Sequence, residues 1–232
     1  MSKAQAQATS TTPSTALVNH DSALAAEVAN IKNTVNAPSS NVISTKGKLF
    51  TLPDGTTNPG PLYGIILDYT SYNSYFKGIY NPNEIAPPAC FAVNKNISEL
   101  RPSPNSPEVQ STDCASCPRN QFGSAPTGRG KACKNTRRIA IIPPDATETA
   151  MPMTLSISPT GLKAFDAYVN SLVRDYNKPP IAFITRISFS KEAYPSLIFD
   201  EPKLHDQLTL AMKLRPLAIE MINHEPDVTR KH

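Results

Sequence analysis

Long apolar runs are missing from this chain: hydrophobic residues make up 39% of its 232 positions but fall in short groups, so no segment reads as a membrane-spanning helix. Histidine is scarce as well. Only four are present, and those nearest to any cysteine, His20 and His205, are far from it in sequence. That shortage argues against mixed Cys/His metal sites, and the lack of a His-x-Glu ahead of the Cys-x-x-Cys removes the zinc deaminase pattern. A Walker A loop is absent too, since Gly128-Arg129-Gly130-Lys131 has neither its spacing nor its Lys-Ser/Thr pair. The first residues, MSKAQAQATSTTP, contain no apolar core of the kind a secretory signal needs, so the expected compartment is the cytoplasm, where cysteines stay reduced. Acidic residues are missing from one region in particular. Between Cys114 and Arg138 there are six basic residues and no acidic one, although the whole chain carries only +4. The positive field is therefore concentrated there.

All four cysteines, Cys90, Cys114, Cys117 and Cys133, lie in the same part of the chain. Cys114-Ala115-Ser116-Cys117-Pro118 is a tight knuckle that can aim two thiolates at one point. Cys90 and Cys133 supply the other two corners of a tetrahedron, and four thiolates close the shell of a structural zinc ion. The intervals are asymmetric, so one half is a knuckle and the other is assembled from separated residues. Two disulfides, a redox Cys-x-x-Cys and an iron–sulfur cluster are the weaker alternatives. A closed shell of four thiolates leaves no position for a reactive water, and the chain is expected not to be an enzyme.

In chain order, residues 1–40 are poor in large apolar side chains and read as a largely disordered arm with a short helix possible from Asp21 or Ser22. Residues 41–200 read as a barrel of short strands. A zinc-binding insertion at 88–136 interrupts it, and residues 201–232 form a C-terminal helix and tail. Proline, at 23 residues, favours short strands and loops over a helical bundle. The run LYGIILDYTSYNSYF is a β-branched and aromatic strand region. Alternation puts Tyr63, Tyr69 and Tyr75 on one face and Tyr72 and Phe76 on the other. One face packs the barrel, and the other can offer rings to bases. The helix after Ser158-Pro159 buries Leu162, Phe165, Tyr168, Val169, Leu172 and Val173, and a final helix is expected from Lys203 to Asn223, bent at Pro216. The fold class is mainly β with helices (α+β), and a five-stranded barrel with a helix between its strands is the OB-fold pattern.

The block Cys114-Ala115-Ser116-Cys117-Pro118-Arg119-Asn120, with Phe122-Gly123-Ser124, Gly130-Lys131-Ala132-Cys133-Lys134 and Arg138, resembles the zinc-containing single-stranded DNA-binding proteins of bacteriophages, in which an OB barrel carries an inserted metal subdomain. The tight match covers about a tenth of the chain. The resemblance implies a replication or recombination accessory in the host cytoplasm that binds single-stranded DNA, meets replication or recombination enzymes, and has the option of self-association. Cys90, Cys114, Cys117 and Cys133 would carry the zinc. Arg119, Arg129, Lys131, Lys134, Arg137 and Arg138 would follow phosphates, and Tyr69, Tyr72, Tyr75 and Phe76 would stack on bases. One departure is plain: the chain ends Glu225-Pro226-Asp227-Val228-Thr229-Arg230-Lys231-His232, not in the acidic tail common among such proteins. The competing functional class is a zinc-containing protein-interaction or transcription-regulatory accessory.

Overall fold

The computed structural model describes residues 41–78, 86–192 and 195–229. The expected N-terminal arm and its helix lie outside the described residues. Among those described there are nine strands, β1 (Val42–Ile43), β2 (Phe50–Thr51), β3 (Thr57–Asn58), β4 (Leu62–Tyr75), β5 (Cys90–Asn94), β6 (Cys133–Ile142), β7 (Met153–Ile157), β8 (Phe183–Phe189) and β9 (Leu197–Leu204), with two helices, α1 (Leu162–Tyr176) and α2 (Leu208–Asn223). Seven strands form one sheet in the order β1-β7-β6-β4-β8-β9, and β5 is a side branch on β4. The sheet curls into a half-barrel. Its end strands, β1 and β9, do not pair with each other among the described residues. The architecture is mixed α+β, mostly strands.

The long strand β4 organises the sheet. It runs antiparallel to β6 over nearly its whole length, while its first residues pair with β8 and its last five with β5. Gly64 sits where a Cβ would fall 2.3 Å from Ile141 Cγ2, so only glycine lets β4 and β6 close at that rung. Alternation along β6 sends Ile139 and Ile141 into one core with Ile66, Phe183 and Phe199 beneath α1. Ala140 and Ile142 go to the other face, with Ile65 and Leu67 beneath α2. The sheet thus has a helix on each face, and neither face is left to solvent along the middle of β4.

α1 matches the expected span. It buries Phe165, Tyr168 and Leu172 and ends at Asn177 in the left-handed region, whose N–H reaches Val173 O, ahead of Pro179 and Pro180, which cannot continue a helix. Val173, expected in the stripe, is 53% exposed. The final helix starts later than expected: β9 continues through Pro202 to Leu204, and α2 begins at Leu208. β9 is an edge strand, which tolerates proline, and Glu201 at φ 47 shifts its register against β8. The helix then buries Ala211, Leu214, Ala218 and Ile222. Leu208 and Met212 are exposed, as is Leu204 at the end of β9.

A register shift between Ile66 and Asp68 corrects the expected grouping of tyrosines. The extra residue reverses the alternation, so Tyr63, opposite Arg186, and Tyr69, opposite Ile139, lie on opposite faces. Asp68 is nearly buried and accepts from Tyr69 N–H, Lys95 Nζ and Arg215. Two cations and a backbone donor satisfy a carboxylate that would otherwise be costly to bury.

Candidate metal centre and nucleic-acid interface

Cys90 opens β5 and Cys133 opens β6, and both are in register with Tyr75, the last residue of β4. The sheet therefore brings two cysteines 43 positions apart to either side of one rung. Cys114 and Cys117 come from the insertion, which forms no strand between Asn94 and Cys133 and is held by side chains instead. Asp113 accepts from the N–H groups of Ala115 and Ser116 at 2.8 and 2.9 Å, and Asn120 Nδ2 donates to Cys114 O at 2.6 Å. Gln121 Nε2 bonds Ala115 O and Cys117 O. These ties fix the knuckle, and Leu100 and Ala92 pack against Cys114.

All four cysteines are free thiols and line a single cavity of about 20 Å³, above the roughly 10–15 Å³ that one water requires. Burial, together with the other three thiols, pushes Cys133 up to about 12, and burial with Cys90, Cys117 and Asp113 pushes Cys114 up to about 11. Such thiols stay protonated at neutral pH unless a cation takes the place of their protons. Among the described residues no three Cys, His, Asp or Glu side chains are drawn together closely enough to hold an ion as they stand. An all-thiol donor set around a one-ion space nevertheless fits zinc by the chemistry of its ligands.

Between Cys117 and Cys133 the chain makes a compact loop. Gly123 N–H reaches Gly130 O at 2.8 Å, and Ser124 Oγ receives Ala132 N–H while donating to Gln121 O. Gly128 and Gly130 have φ of 69° and 77° with open space where a Cβ would sit, so the turn demands glycine for its backbone sign and leaves the surface bare. Arg129, at the tip, is exposed.

The expected contact residues separate into two groups. Near the cysteines, Arg119 lies 5.2 Å from the Tyr75 ring and Lys134 5.6 Å from the Phe76 ring; with Lys131 and Arg129 they form one basic, aromatic end of the molecule. The other four residues are engaged by the protein itself. Arg137 is 7% exposed and paired with Asp166 of α1 at 3.0 Å, over Tyr69, which packs edge-on against Phe165. Arg138 points to the opposite face, stacks 3.7 Å from the centre of Tyr72 and donates to the carbonyls of Ile222 and His224 at the end of α2. Burial raises the Tyr72 phenol and lowers Arg138.

One ring goes beyond that expected set. Phe122 is 84% exposed, with Lys131 Nζ 5.4 Å from its centroid. Its signal in the sequence is a lone aromatic flanked by glutamine and glycine, where no apolar periodicity gives it a core to join. No helix among the described residues is long and apolar enough to cross a membrane. Compared with protein families, curated proteins and solved structures, the chain matches none.

Proposed function

We propose that this chain is a zinc-braced single-stranded DNA-binding protein of a phage-type replication or recombination system, acting by binding rather than by chemistry. The observation that carries it is the exposed Phe122 ring beside Lys131, on a glycine-rich loop without acidic residues that is anchored at both ends by cysteines. An isolated protein gains nothing from presenting that ring to water. A nucleobase stacked on it gains about 1–3 kcal/mol while the adjacent cation meets the neighbouring phosphate. Tyr75 with Arg119 and Phe76 with Lys134 extend the same pairing towards the sheet.

In this account Cys90, Cys114, Cys117 and Cys133 would hold zinc as thiolates, their protons released to solvent, and the shared ion would stiffen the loop. The curled sheet serves as an OB-type platform, with the insertion as its metal subdomain. Arg137, Arg138, Tyr69 and Tyr72 support that platform from within. Partner enzymes and self-association belong to this reading through its resemblance to phage proteins.

Titration of a labelled, unstructured oligonucleotide against its duplex form tests the proposal. Tighter binding of the single strand, weakening steeply with salt, is expected, together with one zinc per chain by metal analysis. Equal or tighter duplex binding overturns the single-strand reading, and a metal-free protein with four titratable thiols overturns the zinc.

A further inference from the structure

On the sheet face that carries Tyr75 and Cys133, the next two rungs between β4 and β6 are polar: Asn73 opposite Asn135, then Ser71 opposite Arg137. Tyr69 opposite Ile139 returns the ladder to the core. Buried polar groups are normally paired, and two atoms on these rungs are not. Asn73 is 5% exposed and Ser71 6%. Ser71 Oγ and Arg137 Nε are buried without a partner, and the side chains of Asn73 and Asn135 line the same groove.

The four side chains line a groove of about 240 Å³ whose walls come from Leu162 and Asp166 of α1 and from Leu100 and Lys131 of the insertion. That volume is below the roughly 300–1,000 Å³ of pockets for drug-sized ligands, so it suits one flat ring system. A phosphate is a poor occupant, because Asp166 faces the groove and already neutralises Arg137. Side-chain amides, in contrast, each offer a donor and an acceptor, as the edge of a base does. Asn73 and Asn135, on facing positions about 5 Å apart, can address two points of one edge while Leu100 and Leu162 flank the ring.

Building on the single-strand reading, we infer that this groove takes one unstacked nucleobase and reads its edge through Asn73 and Asn135, giving the protein a base preference. Ser71 and Arg137 form the polar floor beneath it, short of partners until the groove is filled. The basic loop holds the strand, and the groove selects among bases.

The test compares dA, dC and dT oligonucleotides of about 12 nucleotides at one salt concentration on the full chain. Wild type is expected to favour one of them by roughly 5-fold or more, the discrimination of a well-placed bidentate contact. Asn73→Ala and Asn135→Ala, made separately, are expected to level the three affinities with an unchanged salt slope. Should Asn73→Ala not fold, the half-buried Asn135 still decides. Free nucleosides are also expected to shift the side-chain amide NMR signals of Asn73 and Asn135. Equal wild-type affinities, or a preference that survives Asn135→Ala, overturn the base groove and leave single-strand binding intact. Failure of every strand to bind overturns both.

Discussion

A phenylalanine left 84% exposed on a basic loop contributes nothing to the folded core, so its removal separates binding from stability. Phe122→Ala is expected to weaken single-strand binding by roughly 5- to 150-fold, the loss of one stacked base, with no change in Tm. An unchanged affinity would remove Phe122 from the interface. The basic residues divide in the same way. Replacing Arg129, Lys131 and Lys134 together by alanine is expected to lower the salt slope of binding by about 2. Arg137→Ala is expected instead to lower stability by about 0.5–3 kcal/mol, because it removes a buried guanidinium packed over the Tyr69 and Phe165 rings, and to leave the salt slope alone. Thermal melts and titrations over a salt series read both quantities. The internal roles of Arg137 and Arg138 could not be seen in the sequence, where two arginines following a basic loop look like its continuation. Their partners, Asp166 and the carbonyls of Ile222 and His224, are 29 to 86 positions away, and only the packing of a helix on each face of the sheet reveals them.

Among the elements, strands β6 and β8 and helix α1 were legible because each keeps one periodicity for its whole length, and β4 because its β-branched and aromatic run is long. The bulge in β4 was not. No glycine or proline marks Leu67, yet one extra residue turns every tyrosine beyond it to the other face. The β9–α2 junction was misread for the opposite reason: Glu201-Pro202 looks like a break, but an edge strand accommodates both. The cysteine cluster was legible because the knuckle spacing is local, and the sheet register supplies the remaining two thiols at Tyr75. Beyond α2, Glu225 receives hydrogen bonds from Asn105 Nδ2 and Ser103 Oγ, which hold its carboxyl below the ordinary value of 4.5. A lowered folded-state pKa stabilises this contact above about pH 4.5 and loses it as pH falls through the lowered value. The side-chain amide NMR signals of Asn105, which donates to Glu225, are therefore expected to stay constant at neutral pH and to shift only in acid below about 4.5. Glu225→Gln is expected to abolish that acid step, whereas a step near pH 6 would assign it to another group.

At the scale of the whole molecule, the half-barrel sheet holds its helices along the middle of β4, and the cysteine-anchored loop stands at the far end of that strand. Zinc, by this account, acts on the shape of the loop and not on a substrate. Chelation is expected to lower both Tm and single-strand affinity, and restoring zinc is expected to recover both. The placement of the DNA is the central claim, and photo-crosslinking locates it most directly. A single strand carrying 5-iodouracil, irradiated in complex with the full chain and mapped by mass spectrometry, is expected to mark peptides spanning residues 119–134, with Phe122 foremost, and the end of β4 at Tyr75 and Phe76. Crosslinks confined to α1, α2 or β9, with none between residues 119 and 134, would contradict it.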